Sequence, residues 1–228
     1  MPVPRPSVRP DQEAVSILLV ERRPLIRQGI QRLLEDSGHV TVLGDAVDCD
    51  EAIRLARKQR PRVIVINLNG SAVSVLDGAR KLGRQFADIA VLVISPQADL
   101  VIQERLLQSG VAGCIDSRCS LDDLLEAIDR VSRGQRYLSD ELAQKLAARR
   151  LPGAERPLFD DLTHRELQIL LLVAEGRNTA QIARELCLTQ KTVNTYRNRL
   201  LDKLDVGTEV GLLHLALRHG LVQGPEPG

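Results

Sequence analysis

Between residues 16 and 133 the chain alternates short β-branched runs with amphipathic stretches, and no other feature constrains its fold as much. The apolar runs fall at 17–20, 40–43, 63–68, 89–94 and 112–115, each the length of a buried strand. Stretches with helical spacing separate them, at 24–36, 50–59, 75–85, 99–109 and 121–133. In the first of these Leu25, Ile26, Ile30, Leu33 and Leu34 share one face. Five successive strand and helix units predict a doubly wound, five-stranded parallel sheet covered on both faces, because each crossover returns the chain through a helix. A site on such a sheet is expected at the carboxyl ends of the strands.

The remainder reads differently. A helix is expected at 140–148, followed by Arg149-Arg150-Leu151-Pro152-Gly153 and a second proline-bearing stretch to Pro157, the composition of a linker. Beyond it only helical signals occur. Thr163 with Glu166 and Asn178 with Gln181 have capping-box spacing, and Thr189 can cap a third helix. An all-α, four-helix second domain follows. The expected division is an N-terminal arm at 1–14, a sheet domain at 15–135, a linker helix and linker at 136–158, a helical domain at 159–223 and a tail at 224–228.

Of the 228 residues, 43% are hydrophobic and 27% charged, a balance that suits two soluble globular domains. No apolar run approaches the roughly 18 residues that span a bilayer, so no membrane association is expected. The first fourteen residues carry four prolines and two arginines without an apolar core, which reads as a disordered arm and not a signal peptide; the expected location is the cytoplasm. Four cysteines lack CxxC spacing, and His164, His214 and His219 lie without obvious partners, so neither a metal nor a cofactor is indicated. With a net charge of +1, any nucleic-acid surface must be local.

Such a surface is present at 179–204. A helix, a break at Cys187-Leu188-Thr189 and a second helix form a helix-turn-helix pattern, in which Val193, Leu200 and Leu204 point one way and Lys191, Asn194, Thr195 and Asn198 the other. An ordinary solvated helix would show the same period and charge. An outward face of amides, a hydroxyl and a base is also what reading the major groove requires, since Asn pairs with adenine while Lys and Arg hold phosphates.

The literal motifs weight the choice. Leu162-Thr163-His164-Arg165-Glu166, Ala174-Glu175-Gly176, Gln181-Ile182-Ala183, Lys191-Thr192-Val193 and Asp202-Lys203-Leu204 closely resemble the LuxR-type helix-turn-helix of the NarL/FixJ response regulators. The phrases 191–197 and Arg218-His219-Gly220 resemble the Gac-type branch. The resemblance implies that Asn194, Thr195 and Asn198 face bases, and that Lys191, Thr192, Arg197 and Lys203 face phosphates of double-stranded promoter DNA. Asn194 and Tyr196 stand where Lys and His are usual in the family.

Residues 17–146 resemble the receiver domain of the same family, flavodoxin-like in fold. There a pair of acidic residues holds magnesium, an Asp accepts the phosphoryl group, and a hydroxyl and a Lys stabilise it. Position by position, the acidic pair is Glu21-Arg22, the acceptor is Asn67, the hydroxyl is Ser95 and the Lys is Ser117. The aromatic of the fifth strand is Cys114, and Ser71-Ala72 replaces a Pro-Gly. An amide is not an anionic nucleophile, and Arg22 is expected to put positive charge where the cation would bind. The receiver is thus expected to be degenerate and the protein to act without aspartate phosphorylation. A ligand or protein partner at the strand ends, control by abundance and a thiol switch are open as replacement inputs.

Two function classes compete. One is a sequence-specific transcription regulator, a homodimer paired through Val210, Leu213 and Leu217, with Leu221 a candidate extension of that stripe. The other is an interaction module that titrates a second regulator by heterodimerisation. An enzyme is not indicated, because no catalytic triad or phosphate loop is present.

Overall fold

A computed structural model describes residues 13–68, 72–95, 100–149, 158–219 and 221–222. Most of the expected arm, the tail, most of the linker and Ser71 lie outside them. The first domain alternates β1 (Val15–Val20), α1 (Pro24–Asp36), β2 (Val40–Ala46), α2 (Cys49–Gln59), β3 (Val63–Asn67), α3 (Ala72–Gln85), β4 (Ala90–Ser95), α4 (Leu100–Gln108), β5 (Gly113–Asp116) and α5 (Leu121–Ser132). All five strands pair in parallel in the order β2-β1-β3-β4-β5. The central strands read as continuous apolar runs because both sheet faces are covered: α2, α3 and α4 pack on one, α1 and α5 on the other.

The expected five-stranded sheet has a sixth strand. A two-residue β6 (Tyr137–Leu138) pairs in parallel with β5, and α6 (Asp140–Ala148) follows it. Gly113 permits this approach, since a Cβ there would lie 2.8 Å from the Tyr137 carbonyl oxygen.

The second domain comprises α7 (His164–Ala174), α8 (Thr179–Glu185), α9 (Gln190–Lys203) and α10 (Glu209–Arg218). Capping boxes at Thr163 and Asn178 start α7 and α8, and the Thr189 hydroxyl caps α9. Helix α7 is buried over most of its circumference, because α9 and α10 pack on one side and α3 of the first domain on the other.

That contact joins the domains. Asp77 on α3 accepts a 2.6 Å hydrogen bond from the Gln168 amide and lies 3.0 Å from Nε2 of His164. Arg105 on α4 donates to the carbonyls of Leu162 at 2.6 Å, Asp160 at 3.2 Å and Phe159 at 3.3 Å. Arg149 bridges Glu104 and Asp160, each at 3.1 Å. Phe159 is fully buried, its ring edge-on to His219.

Candidate functional site

The carboxyl ends of β1, β3, β4 and β5 bring Glu21, Asn67, Ser95 and Ser117 to one end of the sheet. Glu21 is buried, and its carboxylate is fully engaged. Oε1 accepts from the Arg23 backbone N–H at 2.7 Å and from its Nε at 3.1 Å; Oε2 accepts from the Arg23 guanidinium at 3.2 Å and from Nδ2 of Asn67 at 2.6 Å. Burial pulls this carboxyl's pKa up, but the bonds from Arg23 and Asn67 outweigh it and hold it below its ordinary value.

The positive charge expected from Arg22 at the cation position comes instead from its neighbour. Arg22 is exposed, whereas Arg23, one residue further into the turn before α1, folds back onto Glu21. A receiver's magnesium would need Glu21, the carboxylate position occupied by Arg22, and the acceptor. The single carboxylate present is already occupied by a guanidinium and an amide, so these residues do not fit a divalent cation. No group of three metal-ligating side chains occurs among the described residues.

Ser95 is wholly buried and Ser117 exposed, and next to it Arg118 is spent on Asp116, whose carboxylate accepts from its backbone N–H at 2.7 Å and its Nε at 3.2 Å. Burial pushes the Cys114 thiol up to about 12 and also raises Cys119, so neither offers a thiolate near neutral pH. Between this polar floor and the helices α1 and α5 opens a cavity of about 430 Å³. Most of the α1 stripe read from the sequence lines it: Leu34 is buried, but Ile26 is 38% and Leu33 54% exposed, while Leu25, at the start of the helix and 79% exposed, lies outside the lining.

In the second domain Val193, Leu200 and Leu204 are buried, which turns Lys191, Asn194, Thr195 and Asn198 outward together. The Thr195 hydroxyl donates to the Lys191 carbonyl at 3.0 Å, and Asn194 accepts from Thr179 at 3.3 Å. Thr192 is half-buried, its hydroxyl 2.8 Å from that of the capping Thr189.

Two of the residues expected to face phosphates also bond within the domain. Arg197 donates to the Thr179 hydroxyl and to Glu209 at 2.6 Å, tying α8 and α10 to α9. Lys203 donates to Glu166 at 2.8 Å. Burial raises the Glu166 carboxyl, and the bonds from Lys203 and Thr163 bring it below its ordinary value. On α10, Val210 is 61% exposed and Leu213 and Leu217 are half-exposed, while Leu221 is buried in the domain core and so does not extend that stripe.

A parallel sheet with its site at the strand ends, joined to a helix-turn-helix, defines a receiver and output-domain pair. Residues 17–129 match the response regulator receiver domain, and residues 160–216 match the bacterial regulatory proteins of the luxR family. The chain is 38% identical over 210 residues to the response regulator GacA of Pseudomonas aeruginosa, covering 91% of this chain and 98% of that one. It is 33% identical over 208 residues to the response regulator UvrY of Escherichia coli, covering 91% and 95%. The protein therefore belongs to the response regulators with a luxR-family output domain. The fold is shared with the RcsB response regulator of Salmonella typhimurium, at a TM-score of 0.73 and 22% identity over 90% of this chain and 97% of that one.

Proposed function

We propose that the chain is a sequence-specific DNA-binding transcription regulator whose receiver works without aspartate phosphorylation. The observation that carries this reading is the closed set of bonds joining Glu21 to Arg23 and Asn67. Phosphoryl transfer needs an anionic nucleophile, a metal and a cation at the phosphoryl oxygens. The positions for these hold an amide, a carboxylate spent on a guanidinium, and the Ser117 hydroxyl.

The arrangement of the two domains supports the same reading. The receiver holds the output domain through α7, and the outward residues of α9 and the stripe on α10 are left open to solvent. Lys191, Asn194, Thr195 and Asn198 then meet the major groove, and Val210, Leu213 and Leu217 pair two copies on a two-fold site. RcsB of the same fold has been described bound to a promoter. No helix among the described residues is long and apolar enough to cross a membrane, in keeping with a protein of the cytoplasm.

The test is incubation of the full chain with acetyl phosphate and magnesium, read by intact mass and by titration with promoter fragments. No adduct, and binding unchanged by the treatment, is expected. A stoichiometric acid-labile adduct, or binding that requires the treatment, overturns the reading.

A further inference from the structure

The cavity between α1 and α5 occupies the place where a receiver carries its phosphoryl chemistry, but its chemistry is of another kind. Its walls are apolar, built from Ile26, Ile30 and Leu33 of α1 and Leu121 and Leu124 of α5, with Ile94 at the floor. Its inner end is polar, where Asn67 and Ser117 lie at the ends of β3 and β5. At about 430 Å³ it falls within the range of about 300 to 1,000 Å³ typical of small-molecule sites, which are mostly apolar with a few polar groups that orient the ligand. It also lies outside the carboxyl ends of a doubly wound sheet, where such folds bind ligands.

We infer that this cavity binds a small anionic amphiphile, an apolar chain ending in a carboxylate, as the input that replaces phosphorylation. This rests on the reading that the receiver is not phosphorylated. Electrostatics choose the head group. Among the described residues Arg23 is the one charged side chain lining the cavity, and the Glu21 carboxylate behind it already has four donors. A cation would therefore meet no uncompensated carboxylate there. A carboxylate head would share the Arg23 guanidinium and accept from the Ser117 hydroxyl. The apolar body would cover Ile26 and Leu33, large side chains that are otherwise costly to leave in water.

The chain contains no tryptophan, so the emission of anilinonaphthalene sulfonate, itself an apolar anion, can be read without interference. The full chain is titrated with this dye, which is then displaced with decanoate or with decanol. One saturable site is expected, emptied by decanoate at less than about a millimolar and by decanol at least tenfold less well. Leu33→Asp at the mouth and Ser117→Phe at the polar end, both at exposed positions, should each weaken decanoate at least tenfold. Leu43→Asp, exposed on β2 and outside the cavity, should not.

Absence of a saturable site, equal displacement by the two compounds, or variants that bind as the parent does would overturn the proposal. So would self-association of the parent that Leu33→Asp abolishes, which would assign the apolar face to a second copy. Acetyl phosphate labelling of the same preparation keeps the two readings apart. An adduct defeats phosphorylation independence whatever the dye shows, and lack of dye binding without an adduct defeats only the ligand.

Discussion

Nδ2 of Asn67 donates a 2.6 Å hydrogen bond to Oε2 of Glu21, so the residue in the acceptor position is spent on the one carboxylate left at the metal position. Asn67→Asp would replace this donor by a second carboxylate at hydrogen-bonding distance. Like charges so close force one group to keep its proton, raising its pKa above the unfolded value. The favourable, protonated form is then lost as pH rises. The variant should be less stable than the parent by about 1 to 3 kcal/mol at pH 7, with the gap narrowing towards pH 5 in urea titrations. It should still take up no phosphate, because Arg23 remains on Glu21 and position 117 supplies no cation. Restoring the reaction should need Arg22→Asp, Ser117→Lys and removal of Arg23 as well, read by intact mass after acetyl phosphate.

The partner of that bond makes a second prediction. The Glu21 pKa lies below its ordinary 4.5, so its charged form contributes stability above about that pH, which is lost as pH falls through the folded value. Arg23→Ala leaves burial as the dominant influence and turns the shift upward. The variant should lose about 1 to 3 kcal/mol at pH 7 and much less at pH 4, the opposite of a merely exposed arginine. An equal loss at the two pH values would show that Arg23 acts through packing and not through charge.

These two positions mark where the sequence was legible and where it was not. The limits 24–36 and 140–148 match α1 and α6, because Pro24 at the first turn and Ser139 before α6 are local signals. The capping boxes are equally local. Strand β6 escaped because two residues carry no period, and its pairing depends on Gly113, 24 positions earlier. The choice between Arg22 and Arg23 depends on which side chain the turn before α1 folds back, and that is not written in residue type. Likewise the partners of Arg197, Thr179 and Glu209, stand 18 and 12 residues away on other helices. Periodicity placed Ile26 and Leu33 on a common face, but it could not show that α1 would border a cavity there.

The domain junction concentrates on Asp77 and Arg105. Burial raises the Asp77 carboxyl, but His164 and Gln168 outweigh it and hold it below its ordinary 3.8. Its charged form therefore supports docking above about that pH, and the support is lost on acidification through the folded value. Arg105→Ala removes three carbonyl contacts from the same junction. Each of Arg105→Ala and Asp77→Ala should weaken docking by about 1 to 2 kcal/mol, leave each domain folded and raise the radius of gyration in small-angle scattering. A scattering curve identical to the parent's would count against α7 as the junction.

On α9 the residues proposed to read bases are exposed, while Arg197 bonds to neighbouring helices. Asn198→Ala should weaken a specific site by about 1 to 3 kcal/mol and spare nonspecific binding. Lys191→Ala should weaken all sequences and lower the slope of affinity against salt by about one. Arg197→Ala should instead lower the melting temperature, because it unties Thr179 and Glu209. Anisotropy titrations at several salt concentrations, beside thermal melts, distinguish the three; a normal melt with a reduced salt slope for Arg197→Ala would return that residue to the phosphates.

The last prediction concerns α10. Leu212 and Ala216 face the core of the domain, and Leu221 closes it, so the helix has already buried the apolar face its own fold requires. Val210, Leu213 and Leu217 recur at spacings of three and four on another side, with Val210 61% exposed. A two-fold axis through this stripe would bury it twice and place two α9 helices about one DNA turn apart, which a single domain on a half-site cannot do. Val210→Asp alters an exposed position and should leave the melt of the free protein unchanged. It should still abolish cooperative occupancy of a two-fold site, because two carboxylates would then face each other across the axis. A half-site fragment should be bound as before. Footprinting on intact and halved sites reads the difference, and full protection of the intact site by the variant, with unchanged cooperativity, would remove α10 from the dimer.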